Sequence, residues 1–241
     1  MKISIVIPAF NEERLLGQSL ERVKASAGSF AARGWEWELI VCNNNSTDRT
    51  AAIAEAAGAK VVFEPINQIA RARNAGAAAA TGDWLLFIDA DSQPTSELFS
   101  DVGDQIQSSK FLAGGATVRL EGEYPFARRV TALWNSISRV CRLMAGSFIF
   151  CEMQAFREIG GFSKELFASE EIDLSKRLKK LAKRRGKKIV ILTRYPLLTS
   201  ARKLHLYSLR EHLRVVLKAT LSGGKSLTNR EACHTWYDGR R

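Results

Sequence analysis

The sequence predicts an α/β protein built on an open, mostly parallel twisted sheet with helices on both faces. Two observations carry this. Short apolar runs alternate with helical stretches four times over about the first 90 residues, the pattern of strand–helix–strand units. Three of those runs end in polar clusters, at residues 8–12, 43–48 and 89–91. Open sheets of this kind bind ligands beyond the C-terminal ends of their strands, so the clusters should converge on one site. The composition agrees: 241 residues, 46% hydrophobic and 25% charged, is ordinary for a globular chain able to bury its own core.

The elements follow in order. Ile3 to Ile7 is a β-branched, nearly continuous apolar run that reads as a buried parallel strand, ended by Pro8. Asn11 is the expected N-cap of a helix to about Ala27, with Glu12 and Glu13 at its positive end and Leu15, Leu16, Leu20 and Val23 on one face. Trp37 to Cys42 is a strand stopped by the turn-forming Asn43-Asn44-Asn45-Ser46. A helix from Thr47 to Ala57 leads to a strand over Lys60 to Phe63. Ile69 to Ala80 is Ala-rich and helical, closed by Gly82. Trp84 to Ile88 is a buried strand running into Asp89-Ala90-Asp91. Beyond it, Phe111 to Leu120 reads as strand, Phe126 to Met144 as helix, and Gly146 to Glu152 as strand. Gly160-Gly161 reads as a turn, Ile172 to Arg185 as a basic helix, Lys188 to Leu192 as strand and Leu204 to Leu221 as an amphipathic helix. No linker interrupts the chain, so residues 1–241 are expected to form one domain.

Asp89-Ala90-Asp91 is the sharpest chemical feature. Hard cations such as Mn²⁺ or Mg²⁺ take carboxylate oxygens together with substrate phosphates, and this pair follows a buried strand in the half that should bind a nucleotide. Around it, four segments share an order and spacing. They are Ser4 to Glu12 (SIVIPAFNE), Asn44 to Thr50 (NNSTDRT), Ala72 to Gly76 (ARNAG) and Gly82 to Asp91 (GDWLLFIDAD). Farther on come Gly160-Gly161-Phe162 and Ser169-Glu170-Glu171-Ile172-Asp173-Leu174. In these segments the chain resembles the family 2 glycosyltransferases of the GT-A fold, over most of residues 1–175.

The resemblance implies an inverting transferase that uses a nucleotide-diphosphate sugar and Mn²⁺ or Mg²⁺, with residues 1–95 as the donor half, 96–221 as the acceptor half and 222–241 as a tail. It implies a metal held by Asp91, with Asp89 near the ribose or the metal, neutralising the leaving diphosphate. Phe10 would face the base, with the backbone of Pro8 and Ala9 at its edge and Glu12 on a ribose hydroxyl. Arg73 would reach the base or the pyrophosphate with its planar fork. Arg202 or Lys203 would clamp the pyrophosphate, and His205 is a candidate third metal ligand. The family commonly has a carboxylate in the turn after the second strand, where this chain has Asn43 and Asn44. An amide carbonyl still accepts uracil's N–H, so the donor leans toward uridine. The base that deprotonates the acceptor falls on Glu171, with Glu170 as the alternative and Asp173 orienting the site. Glu171 is itself a departure, standing where the family has Asp.

Charge is split along the chain. Residues 1–120 carry 11 basic and 14 acidic side chains, and residues 121–241 carry 25 and 11. Nine of the 13 residues from Lys176 to Lys188 are Lys or Arg, and Arg210, Arg214 and Lys218 line the later amphipathic segment. The expected anionic partner is a sugar or lipid acceptor, or an anionic membrane surface. Nucleic acid is not expected, because no helix-turn-helix, zinc finger or RNA-binding motif is present. No stretch approaches the roughly 20 apolar residues of a membrane span. Cys42, Cys141, Cys151 and Cys233 form no C-x-x-C pair and read as reduced thiols. The expectation is a cytoplasmic protein, peripheral on the inner face of the membrane.

Two readings compete with transfer of a sugar. A nucleotidyltransferase would need a Gly-rich basic loop after the first strand, and Pro8-Ala9-Phe10-Asn11 is not one. A non-catalytic membrane- or polyanion-binding protein on a degenerate transferase fold is kept open by Asn43 and Glu171. Ser222 to Ser226 resembles the end of a P-loop but has Ala219 where the motif needs Gly.

Overall fold

The computed structural model of the chain describes residues 1–122, 124–202, 225–231 and 233. Among these, eight strands make a single sheet: β1 (Lys2–Ala9), β2 (Glu36–Asn43), β3 (Lys60–Phe63), β4 (Trp84–Ile88), β5 (Ser92–Gln93), β6 (Phe111–Leu120), β7 (Phe148–Glu152) and β8 (Lys188–Thr199). Their order is β3-β2-β1-β4-β7-β6-β8-β5. The first four in that order are parallel, as are β6 and β8. β7 runs antiparallel to both its neighbours, and β5 to β8. The helices are α1 (Leu16–Ala31), α2 (Thr50–Ala56), α3 (Ile69–Ala78), α4 (Ser96–Gln107), α5 (Pro125–Cys141), α6 (Met153–Glu158) and α7 (Glu170–Arg184).

The period-2 alternation of β1 decides which face each helix covers. Ile3, Ile5 and Ile7 face a core shared with Leu16, Leu20, Val23 and Phe30 of α1 and with Leu98, Phe99 and Val102 of α4. Val6 faces the other core, with Ala70 and Ala77 of α3, Phe156 of α6 and Leu174, Leu178 and Leu181 of α7. Both faces of the sheet are therefore covered, as expected for parallel strands. All four cysteines are free.

Several boundaries differ from expectation. Asn11 is not an N-cap: it lies in the left-handed region at φ 52°, and α1 starts at Leu16 with Leu15 as its cap. The reason is a cross-loop stitch. The N–H groups of Asn11, Glu12 and Glu13 donate to the side chains of Ser46 (3.0 Å), Thr50 (2.8 Å) and Asp48 (3.0 Å). The Asn11 carboxamide accepts from the Thr47 N–H at 2.8 Å. The same stitch delays α2 from Thr47 to Thr50. Gly82 does not close α3, whose cap is Ala79. It lies instead against β1, where a Cβ would come within 2.8 Å of the Lys2 carbonyl oxygen and the Ser4 nitrogen. α7 begins at Glu170, two residues early, after Ser169 in the left-handed region. β8 runs seven residues beyond Leu192 and includes Pro196. The residues from 193 to 196 fall in a register break between the pairs Ala116–Leu192 and Val118–Leu197, where a missing N–H breaks no ladder. The amphipathic helix expected at Leu204 to Leu221 lies outside the described residues.

Gly76 sets how closely α3 lies on β1. A Cβ there would meet Val6 Cγ1 at 2.4 Å, and Val6 is fully buried. Gly76→Ala should cost about 1–3 kcal/mol in urea unfolding. A variant as stable as the parent would show that the contact relaxes freely.

Candidate active site

Parallel pairing brings the C-terminal ends of β1, β2 and β4 to one edge of the sheet. β7 is antiparallel to β4 and starts with Phe148 opposite Ile88, so the residues before it arrive at the same edge. There the Asp89 N–H donates to the Ser147 carbonyl at 3.3 Å. The N-terminus of α7 supplies Glu170 and Glu171. Together these elements wall a cleft of about 300 Å³ lined by Ile69, Arg73, Asp89, Val118, Trp134, Ala145, Gly146, Ser147, Ser169, Glu170 and Glu171.

Arg73 of α3 is the cation at the base of this cleft. Its side chain is 1% exposed. One terminal nitrogen donates to Glu170 at 2.6 Å, and the other to Asp89 at 2.9 Å and to the Gly146 carbonyl at 2.8 Å. Its guanidinium lies 5.2 Å from the centre of the Phe162 ring. Phe162 is fixed in turn by Asn74, whose carboxamide bonds both its N–H and its carbonyl. Gly160 and Gly161 precede it in the left-handed region, the expected turn.

Glu170 is thus a buried partner of Arg73. Glu171 keeps an edge exposed to the cleft. Burial pushes its carboxyl up to about 8, and the neighbouring Glu170 charge adds to the rise. A group poised there can take up or release a proton near neutral pH.

A second cluster sits beside the first. Arg202 holds Glu12 with two parallel bonds, both 2.8 Å, and lies 3.8 Å from Asp91. Asp91 also accepts from the Thr199 hydroxyl at 3.4 Å. Among the described residues no group of three or more His, Cys, Asp or Glu could hold a metal ion. Mg²⁺ or Mn²⁺ needs only one or two carboxylates from the protein and completes its shell with substrate phosphates and water. Asp89 and Asp91 are the carboxylates that could hold such an ion; one oxygen of Asp89 accepts from Arg73, and one of Asp91 from Thr199.

Several expected residues are placed differently. Arg73 is sealed under the cleft rather than open to a base. Glu12 is tied to Arg202. Asp173 pairs with Arg177 one turn along α7, away from the cleft lining. Asn44 is buried and fully engaged: its amide donates to the Glu64 and Ile66 carbonyls and its oxygen accepts from the Gln68 N–H. The Asn43 oxygen accepts from the Ser46 N–H at 2.9 Å, an Asx turn. Pro8 and Ala9 are buried, and the Ala9 carbonyl accepts from the Asn44 N–H. Phe10 remains half-exposed. Lys203 and His205 lie outside the described residues. Trp134 and Ser147 also line the cleft, and the sequence carries no signal for either, because it does not give the direction of α5 or β7.

The chain belongs to Glycosyl transferase family 2, whose sequence model matches residues 4–159. It is 34% identical over 150 residues to an uncharacterized glycosyltransferase of Rickettsia bellii, covering 61% of this chain and 48% of that protein. It is 35% identical over 132 residues to a TPR repeat-containing protein of Synechococcus elongatus, covering 53% and 30%. The matches thus span 30% and 48% of these relatives' own length. Two solved structures share its GT-A fold. S. aureus TarS 1–349 in complex with UDP-GlcNAc has a TM-score of 0.67 at 18% identity, covering 100% of this chain and 74% of that one. Mannosyltransferase PcManGT from Pyrobaculum calidifontis, in complex with GDP-Man and Mn²⁺, has a TM-score of 0.68 at 16% identity, covering 96% and 64%.

The raised Glu171 carboxyl has a consequence for stability. Between its ordinary 4.5 and about 8, the folded chain holds a proton that the unfolded chain has released. Stability from this group therefore falls as pH rises through that window. Glu171→Gln removes the titration, so its urea-unfolding free energy should fall less than the parent's between about pH 5 and 8. Parallel pH profiles would exclude a raised Glu171.

Proposed function

We propose that this chain transfers a sugar, with inversion, from a nucleotide-diphosphate sugar to an acceptor hydroxyl or lipid phosphate, with Mn²⁺ or Mg²⁺ bound at Asp91. The observation that carries the reading is the cleft in which Asp89 and Glu170 share Arg73 while Glu171, with its carboxyl at about 8, lines the wall. Glu171 accepts the proton of the acceptor hydroxyl. The acceptor oxygen bonds to the anomeric carbon from the side opposite the diphosphate. The bond from that carbon to the diphosphate oxygen breaks, and its electron pair leaves with the nucleoside diphosphate. A base with a pKa near the working pH suits this step.

The divalent ion, when bound, supplies charge neutralisation at the diphosphate. Arg202, 3.8 Å from Asp91, is the side-chain cation for the pyrophosphate, and Phe10 offers its half-exposed ring to the base. The structures that share the fold hold UDP-GlcNAc or GDP-Man, which supports the donor class. Uridine remains the preferred base because Asn43 replaces a carboxylate in the turn after β2. The acceptor is read as a sugar or lipid at an anionic membrane surface, in keeping with the basic second half.

With nucleotide sugars and Mn²⁺, Glu171→Gln should lower turnover by about 10²–10⁴ while keeping the thermal stabilisation given by UDP and Mn²⁺. Asp91→Asn should lose that Mn²⁺-dependent stabilisation. The parent rate should rise with pH and level off above about 8, as the base ionises. A parent that neither turns over any nucleotide sugar nor gains stability from nucleotide and Mn²⁺ would exclude a transferase and favour a binding module.

A further inference from the structure

α5 presents an apolar stripe to the outside. Phe126, Val130, Leu133, Ile137 and Val140 recur at i, i+4, i+7, i+11 and i+14, which is one face of a helix. They are 41 to 84% exposed. The helix is not misplaced. Its opposite side is fixed by buried Ala127 and Ser138 and by Asn135, whose carboxamide bonds both the N–H and the carbonyl of Val118 on β6. The stripe is thus held outward by a clamp on the sheet.

The charge on α5 is one-signed. Residues 125–142 contain Arg128, Arg129, Arg139 and Arg142 and no carboxylate. All four arginines are exposed, and none takes part in an ion pair among the described residues. The lysine-rich α7 region differs. Arg177 pairs with Asp173, Arg184 and Arg185 with Glu158, Arg185 and Lys187 with Glu152, and Lys179 donates to the Cys141 carbonyl. Much of the basic run that dominates the sequence is therefore spent on internal partners, whereas the arginines of α5 are not. Among the described residues no helix is long and apolar enough to cross a membrane. An arginine-rich helix with an outward apolar stripe suits the plane of an anionic interface.

We propose that α5 is the membrane-docking surface of this protein: its apolar stripe enters the interface of an anionic bilayer while its arginines meet lipid phosphates. This rests on the membrane partner proposed above and specifies the surface that meets it. Trp134, one turn on from Val130, lines the cleft beside Glu171. Docking along α5 therefore brings the cleft to the membrane surface, where a lipid-borne acceptor enters without leaving the bilayer far behind.

The test is co-sedimentation of the chain with phosphatidylcholine vesicles, with or without phosphatidylglycerol. The parent should bind only the anionic vesicles, and less at high salt. Leu133→Glu with Ile137→Glu should weaken binding roughly tenfold or more. Arg128→Glu with Arg129→Glu should do so by at least about fivefold per arginine. Lys180→Glu with Lys183→Glu on α7 should have much less effect. All variants should keep the parent's melting temperature and its stabilisation by UDP and Mn²⁺. If the α5 variants bind as the parent does and the α7 variant does not, the docking surface is refuted and the membrane partner stands. A parent that binds neither vesicle refutes both, leaving the transferase reading to its own assay. A parental dimer that Leu133→Glu with Ile137→Glu turns monomeric would assign the face to a second copy. A large loss of melting temperature in that variant would assign it to another segment of this chain. Either result overturns the proposal.

Discussion

The site depends on a guanidinium that water does not reach. Arg73 binds Asp89 after β4, Glu170 at the head of α7 and the Gly146 carbonyl before β7. These groups come from three parts of the chain, the farthest 97 positions from Arg73. A buried cation requires such partners, because leaving a charge unpaired in a protein interior costs several kcal/mol. Glu170, 4% exposed, is held by the same guanidinium at 2.6 Å. Glu171 stands next in line and has no ion-pair partner within bonding distance among the described residues, so burial and the neighbouring Glu170 charge push its carboxyl up.

The donor edge has a comparable economy. The loops after β1 and β2 satisfy one another: N–H groups of one meet Ser46, Asp48 and Thr50 of the other. Burial alone would raise the Asp48 carboxyl, but bonds from Thr50 and Glu13 hold it low. Asn44 then fastens this pair to the loop that enters α3. The polar residues of these loops thus also keep the strand ends together. The Phe10 ring, the Asp91 carboxylate and the Glu12–Arg202 pair lie at this same edge.

How far the sequence could be read follows from these two facts. Strands such as Lys60–Phe63 and Trp84–Ile88 were legible to the residue because an apolar run between turn residues has one physical meaning. The convergence of three polar clusters was legible because parallel topology dictates it. The roles inside the clusters were not. Asn11 looks like a helix cap until Thr47 claims its carboxamide, 36 positions away. Arg73 looks like a donor ligand until its partners are seen to be Asp89 and Glu170. Asp173 looks like a third acid until Arg177 takes it. In each case a long-range or cross-turn partner outweighs the local signal, and a linear pattern carries no trace of it.

The antiparallel seam between β4 and β7 separates two kinds of connection. On one side, β1, β2 and β4 deliver strand ends whose loops are bonded to each other, so changing one disturbs the rest. On the other side, the segment between β6 and β7, α5 included, leaves the sheet after Leu120 and returns to the same edge beside Asp89. It contributes no strand to the parallel pairs of β1, β2 and β4, so the wall that approaches the cleft is built separately from the strand ends beneath it.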